Sequence, residues 1–182
     1  MALLIKNVNS PRAAGTTGSG FASVRQWIHV ARSAAVLPQS TTEMLFRVFN
    51  GRVAAGLLVG EATVILTSVD PGLSLNHTKL NNVQPLATVG TTTIMNSTVS
   101  LASLEVGGLA VCSFGGGAVV KANAGGNVSV ALNNSFAILS AGELYITTTG
   151  NNTTGQIKWD LWYQPLDEGA FVVAQPAGTA II

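Results

Sequence analysis

Gln156-Ile-Lys-Trp-Asp-Leu-Trp-Tyr-Gln164 alternates with a period of two. Ile157, Trp159, Leu161 and Tyr163 fall on one side, with Lys158, Asp160 and Trp162 on the other, because successive side chains of a strand point to opposite faces. The run closes at Pro165-Leu-Asp-Glu-Gly169. It reads as a strand with Trp159 and Tyr163 in a core and Trp162 facing away from it. Met44-Leu-Phe-Arg-Val-Phe49 is a second β-like run, closed by Asn50-Gly51. Asn-Gly between two apolar runs signals a hairpin, so the stretch from Arg52 is expected to pair back on Met44–Phe49.

That following stretch, Arg52 to Thr67, is apolar and β-branched, long for one strand and interrupted by Gly56 and Gly60. Glycine inside a strand marks a bulge or bend, so one bent strand or two short ones are expected. Residues 21–37 suit either a helical stripe (Phe21, Val24, Ile28, Ala31) or a strand (Val24, Gln26, Ile28, Val30). The β character of the next run favours a strand from about Trp27 and a turn at Pro38. Val128, Val130 and Leu132 mark a half-buried strand, Leu144, Ile146 and Thr148 another, and Phe171-Val-Val-Ala174 a brief pairing. Turn residues separate these runs at Asp70-Pro-Gly72, Gly115-Gly-Gly117 and Gly150–Gly155.

Short strands with frequent turns and no convincing helix point to an all-β fold, a β-sandwich or jelly roll. Residues 1–20 offer turn residues and little to bury, and read as an extended N-terminal arm. Residues 21–182 then form the single β-sandwich domain.

The chain carries nine Lys or Arg and eight Asp or Glu among 182 residues, 9% charged, where a soluble domain has about 25%. A chain that forgoes charge keeps its surface out of trouble by burying it against copies of itself or a larger assembly. Residues 1–52 hold six cations against one acid, and the rest three against seven. The cations are spaced out rather than clustered, so nucleic-acid binding is not implied. No run of apolar residues is long enough for a transmembrane helix and no secretory leader is visible. The Asn-X-Ser/Thr sequons, starting at Asn76, are therefore expected to carry no glycan.

Catalytic chemistry finds little support. His29 and His77 lie far apart, with no HxH, HExxH or CxxC spacing for a metal. Asp167-Glu168 reads as a solvated turn. Cys112 lies in an apolar run without a nearby His, and reads as a small buried hydrophobe. No motif selects a carboxylate pair or a serine nucleophile, so no enzyme activity, cofactor or metal is expected. An aromatic platform for sugar can be drawn from Trp27, Trp159, Trp162 and Tyr163. Trp159 and Tyr163 share the core face, whereas Trp162 lies under a second layer, at an interface or open to a ligand. Aromatic enrichment at interfaces favours the second.

Three segments, Leu45-Phe-Arg-Val-Phe-Asn-Gly-Arg-Val53, Leu57-Leu-Val-Gly-Glu-Ala-Thr63 and Gly155-Gln-Ile-Lys-Trp-Asp-Leu-Trp-Tyr-Gln-Pro-Leu-Asp-Glu-Gly-Ala170, together resemble the decoration or cement proteins that coat the heads of tailed bacteriophages. The resemblance implies a β-sandwich or jelly roll, often a homotrimer, on the outer surface of an icosahedral virion. Its partner there is the major capsid protein, bound at capsomer junctions, with neither nucleic acid nor membrane involved. It supplies no catalytic residues. On this reading Trp162 and Trp27 are interface residues, and Arg12 and Lys6 lie on an arm reaching an adjacent subunit. The alternative is a carbohydrate- or receptor-binding module of a phage fibre or tail.

Overall fold

Two antiparallel sheets make up the fold, and the strand read first from the sequence lies inside one of them. The computed structural model describes residues 27–66, 72–80, 88–94, 99–114, 120–122, 136–149 and 154–181. The first sheet runs β1 (Ile28–Val36), β11 (Gln156–Pro165), β3 (Val53–Val64), β7 (Leu109–Ser113) and β8 (Val120–Ala122), with β9 (Ala137–Leu139) also on β3. The second runs β12 (Phe171–Ala174), β2 (Thr42–Phe49), β10 (Gly142–Thr148), β4 (Gly72–Leu80) and β5 (Thr88–Thr93), with β6 (Val99–Ser100) also on β4. Among the described residues every strand pair is antiparallel.

The alternation in β11 decides what lies between the sheets. Ile157, Trp159, Leu161 and Tyr163 are all buried, and share one apolar cluster with Leu58 and Ala62 of β3. Phe46, Val48, Leu75, Leu144 and Ile146 of the second sheet belong to the same cluster. Each sheet has one apolar face because its inward positions recur every second residue. One core shared by two such faces is consistent with a β-sandwich. Cys112 lies within it, and burial pushes its thiol up to about 12.

The expected hairpin at Asn50-Gly51 does not form. β2 and β3 belong to different sheets, and the dipeptide turns a corner between them. Asn50 (φ 57°) and Gly51 (φ 139°) do take the positive φ that the residue types favour. The corner is fixed from elsewhere. The Arg52 N–H donates to Asp167 Oδ2 at 2.8 Å, and Leu166 N–H donates to the Arg52 carbonyl at 2.9 Å. Val53 then pairs with Leu139 and Pro165 rather than with β2. Asp167 is thus not merely a solvated turn residue. It also pairs with the Arg52 guanidinium (Nη2–Oδ1 2.8 Å), which holds its carboxyl below the usual range.

Other expectations match the described strands. β1 starts one residue after Trp27, and β3 is one bent strand. Its register shift between Trp162 and Tyr163 leaves Gly56 as the extra residue, since Trp162 opposes Leu57 and Tyr163 opposes Ala55. Phe171–Ala174 pairs with β2 as expected. The arm at residues 1–20 and the strand expected at Val128–Leu132 lie outside the described residues.

Buried polar groups tie the sheets together. Arg32 of β1 and Glu43 of β2 form an ion pair inside the protein. Arg32 Nε also donates to the Gln175 carbonyl at 2.9 Å, and the Gly178 N–H donates to Glu43 Oε1 at 3.0 Å. The segment after β12 continues along β2, with Gln175 N–H donating to the Leu45 carbonyl and Met44 N–H to that of Thr179. On β4, His77 is buried with Nε2 3.1 Å from the Ser140 carbonyl.

Candidate functional site

The outer face of the first sheet gathers several aromatic and ionisable residues that the core does not use. β1 and β11 are in register at His29↔Trp162 and Ala31↔Asp160, and β11 and β3 at Trp162↔Leu57, Asp160↔Val59 and Lys158↔Glu61. Directly opposed residues project from the same face, so His29, Trp162, Asp160, Lys158 and Glu61 come together there. The His29 and Trp162 rings stack with centroids 4.8 Å apart.

Asp160 is the hub of the polar part. It is only 7% exposed although it points away from the core. Its Oδ1 lies 2.7 Å from His29 Nε2, and its Oδ2 lies 3.1 Å from Lys158 Nζ. Lys158 reaches on to Glu61 Oε2 at 4.0 Å. The hydrogen bond and charge of Asp160 hold the Lys158 ammonium above its ordinary value. Two carboxylates, one ammonium and one imidazole leave the cluster with little net charge.

Trp27 closes the β1 end. The six-membered part of its indole occupies the space above Gly56, where any Cβ would collide with it. The bulge in β3 therefore has a use: an extra residue without a side chain lets the indole that precedes β1 lie across β11. Trp27 remains 44% exposed. Ile138 opposes Ala54, which opposes Gln164, so this line crosses the sheet from Trp27 to Ile138. Ile138 and Phe136 are 58% and 53% exposed.

Of the residues singled out in the sequence, Trp27 and Trp162 are thus brought to one face, and Lys6 and Arg12 lie outside the described residues. Trp159 and Tyr163 are buried in the core. Tyr163 Oη accepts the Val172 N–H at 3.3 Å, a link to the second sheet. In the sequence alone, His29 stands out only for metal chemistry. Strand alternation places it on the face of Trp27 once residues 27–36 are read as β, and the β1–β11 register then brings it to Trp162. Among the described residues, no three His, Cys, Asp or Glu side chains converge to hold a metal ion.

A second exposed apolar cluster lies at the β12 edge of the second sheet. Phe49 and Phe171 stack with centroids 5.2 Å apart, Arg47 sits over the Phe49 ring, and Phe171 and Val173 are exposed. No protein-family model matches this chain, and no curated protein matches it in sequence.

Proposed function

We propose that this chain is a virion structural protein that decorates and stabilises the icosahedral capsid of a tailed phage, docking on the major capsid protein at capsomer junctions as a homo-oligomer, with a trimer favoured. One observation carries the reading. A chain with only 9% charged residues leaves Phe171 and Val173 exposed beside the Phe49–Phe171 stack, on an edge strand. An exposed apolar cluster on a charge-poor surface is what association with copies or a shell covers.

The strand order adds support at the level of fold. Ordered β1-β11-β3-β7 and β2-β10-β4-β5, the chain passes between sheets at most of its connections. We read this as the two interleaved Greek keys of a jelly roll, with β12 and β8 added at the edges. Jelly rolls serve in viral shells and in lectins, and fold alone does not choose between them.

The test is the native mass of the purified chain across a concentration series, followed by binding to phage capsids lacking their coat. A stable oligomer that adds heat resistance to capsids is expected, with Phe171→Asp and Val173→Asp lowering the mass. Deletion of residues 1–20 should weaken attachment while leaving the body folded. A monomer at every concentration that leaves capsids unchanged overturns the reading.

A further inference from the structure

The outer face of the first sheet combines features that a protein–protein contact does not need. Trp27 lies against the backbone at Gly56 with nearly half its surface open. Trp162 stands in the next line, braced by His29. Beside them lie Lys158, Glu61 and His29, whose side chains are 40%, 45% and 47% exposed. Asp160 is held between His29 and Lys158, so it orients these donors rather than meeting a ligand itself.

Flat aromatic surface beside mixed donors and acceptors matches a molecule with an apolar face and a hydroxyl rim. We propose that this face is a binding site for a neutral oligosaccharide. Trp27 and Trp162 carry the C–H faces of its rings, and Lys158, Glu61 and His29 hydrogen-bond its hydroxyls.

Charge argues for a neutral ligand. Two carboxylates against one ammonium and one imidazole leave at most a single negative charge, which repels rather than attracts a polyanion and is too little to hold a polycation. The same groups argue against a second copy, because the centre of a protein interface is depleted of charge and these four ionisable groups sit mid-sheet. Size argues for more than one sugar ring. From Trp27, just before β1, to Ile138 on β9 the platform crosses four strands, about 14 Å at ordinary strand spacing. The exposed Phe136 and Ile138 extend the apolar part at the far end.

This inference does not depend on the capsid reading, since its test uses the purified chain alone. The full chain is applied to an array of neutral and acidic glycans, and the best neutral oligosaccharide is titrated while tryptophan fluorescence and acrylamide quenching are followed. Retention of neutral glycans is expected, with affinity rising with chain length and with protection of tryptophan from quencher. Trp27→Ala and Trp162→Ala should each weaken binding about tenfold or more, the scale of one stacking contact. Trp27→Phe should recover part of the loss, and Lys79→Ala, exposed on the other sheet, should change nothing. An array blank for neutral glycans, binding of acidic glycans only, or full affinity in both tryptophan-to-alanine variants overturns the proposal. A fall in native mass for Trp27→Ala also overturns it, and assigns the face to a second copy.

Discussion

Arg32 and Glu43 meet in the interior from opposite sheets, one on β1 and the other on β2, and each is also bound by the segment that follows β12. Eleven positions apart in sequence, they join the first two described strands to the segment after β12. Burial alone pushes the Arg32 guanidinium below its ordinary value. The carboxylate beside it and the Gln175 carbonyl compensate that desolvation.

The pair should behave asymmetrically on mutation. Removing one partner leaves a buried charge without its counterion and costs about 3–5 kcal/mol. Replacing both with apolar residues of similar size is often nearly neutral. Arg32→Met and Glu43→Met should therefore each destabilise the protein strongly, and the double variant far less than their sum. Guanidinium denaturation of the four proteins measures the coupling, and additive losses would show that the two side chains act separately.

Gly51 makes a second point testable. Its φ of 139° lies where side chains are strained, and a Cβ there would stand 2.7 Å from the Asp167 Cβ. Gly51→Ala should cost about 1–3 kcal/mol from the backbone alone and loosen the Arg52–Asp167 contact. Asp167→Gly, which alone lacks the Cβ, would remove the obstruction but not the strain. The Gly51→Ala loss should therefore shrink, without vanishing, in the Asp167→Gly background, as denaturation midpoints would record.

The same corner shows where sequence reading stops. Alternation in Gln156–Gln164 places Trp159 and Trp162 on opposite faces without any coordinates, because strand periodicity is local. Asn50-Gly51 does turn the chain at positive φ, but as a corner between sheets and not as the expected hairpin. Which strand β2 pairs with is not local. It depends on β10 and β12, about a hundred residues away, and on an Asp167 carboxylate that claims the Arg52 N–H. The candidate site divides in the same way. Lys158, Asp160 and Trp162 share a face by spacing alone, whereas His29 reaches them only through the β1–β11 register. Neither Arg32 nor Glu43 carries any local sign of its burial.

His77 gives the fold a pH dependence of defined sign. Burial lowers its pKa from 6.5, and the Ser140 carbonyl offsets this in part. With its folded value below the unfolded one, the unfolded chain binds the proton first. Stability is then complete above about pH 6.5 and falls as the pH drops from there through the folded value. His77→Gln, which keeps an N–H for Ser140, should flatten this slope while leaving stability at neutral pH little changed. Denaturation midpoints across the acidic range measure it, and an unaltered slope would assign the titration to another group.

Gly56 and Gly60 are four residues apart on β3 and face opposite sides of the sheet, each beneath a tryptophan. A Cβ at Gly56 would meet the Trp27 indole on the outer face. One at Gly60 would lie 2.7 Å from Trp159 Cζ3 in the core. The consequences should diverge because only one ring has somewhere to go. Trp27 is partly solvated, so Gly56→Ala should lift its indole from the sheet, raise acrylamide quenching and change stability by under about 1 kcal/mol. Trp159 is 1% exposed and packed on all sides, so Gly60→Ala should overpack the core at a cost of about 1–3 kcal/mol. If the outer face does bind sugar through Trp27, Gly56→Ala should lose affinity while keeping stability, and Gly60→Ala the reverse. Equal effects of the two substitutions on both quantities would show that the rings are not independent.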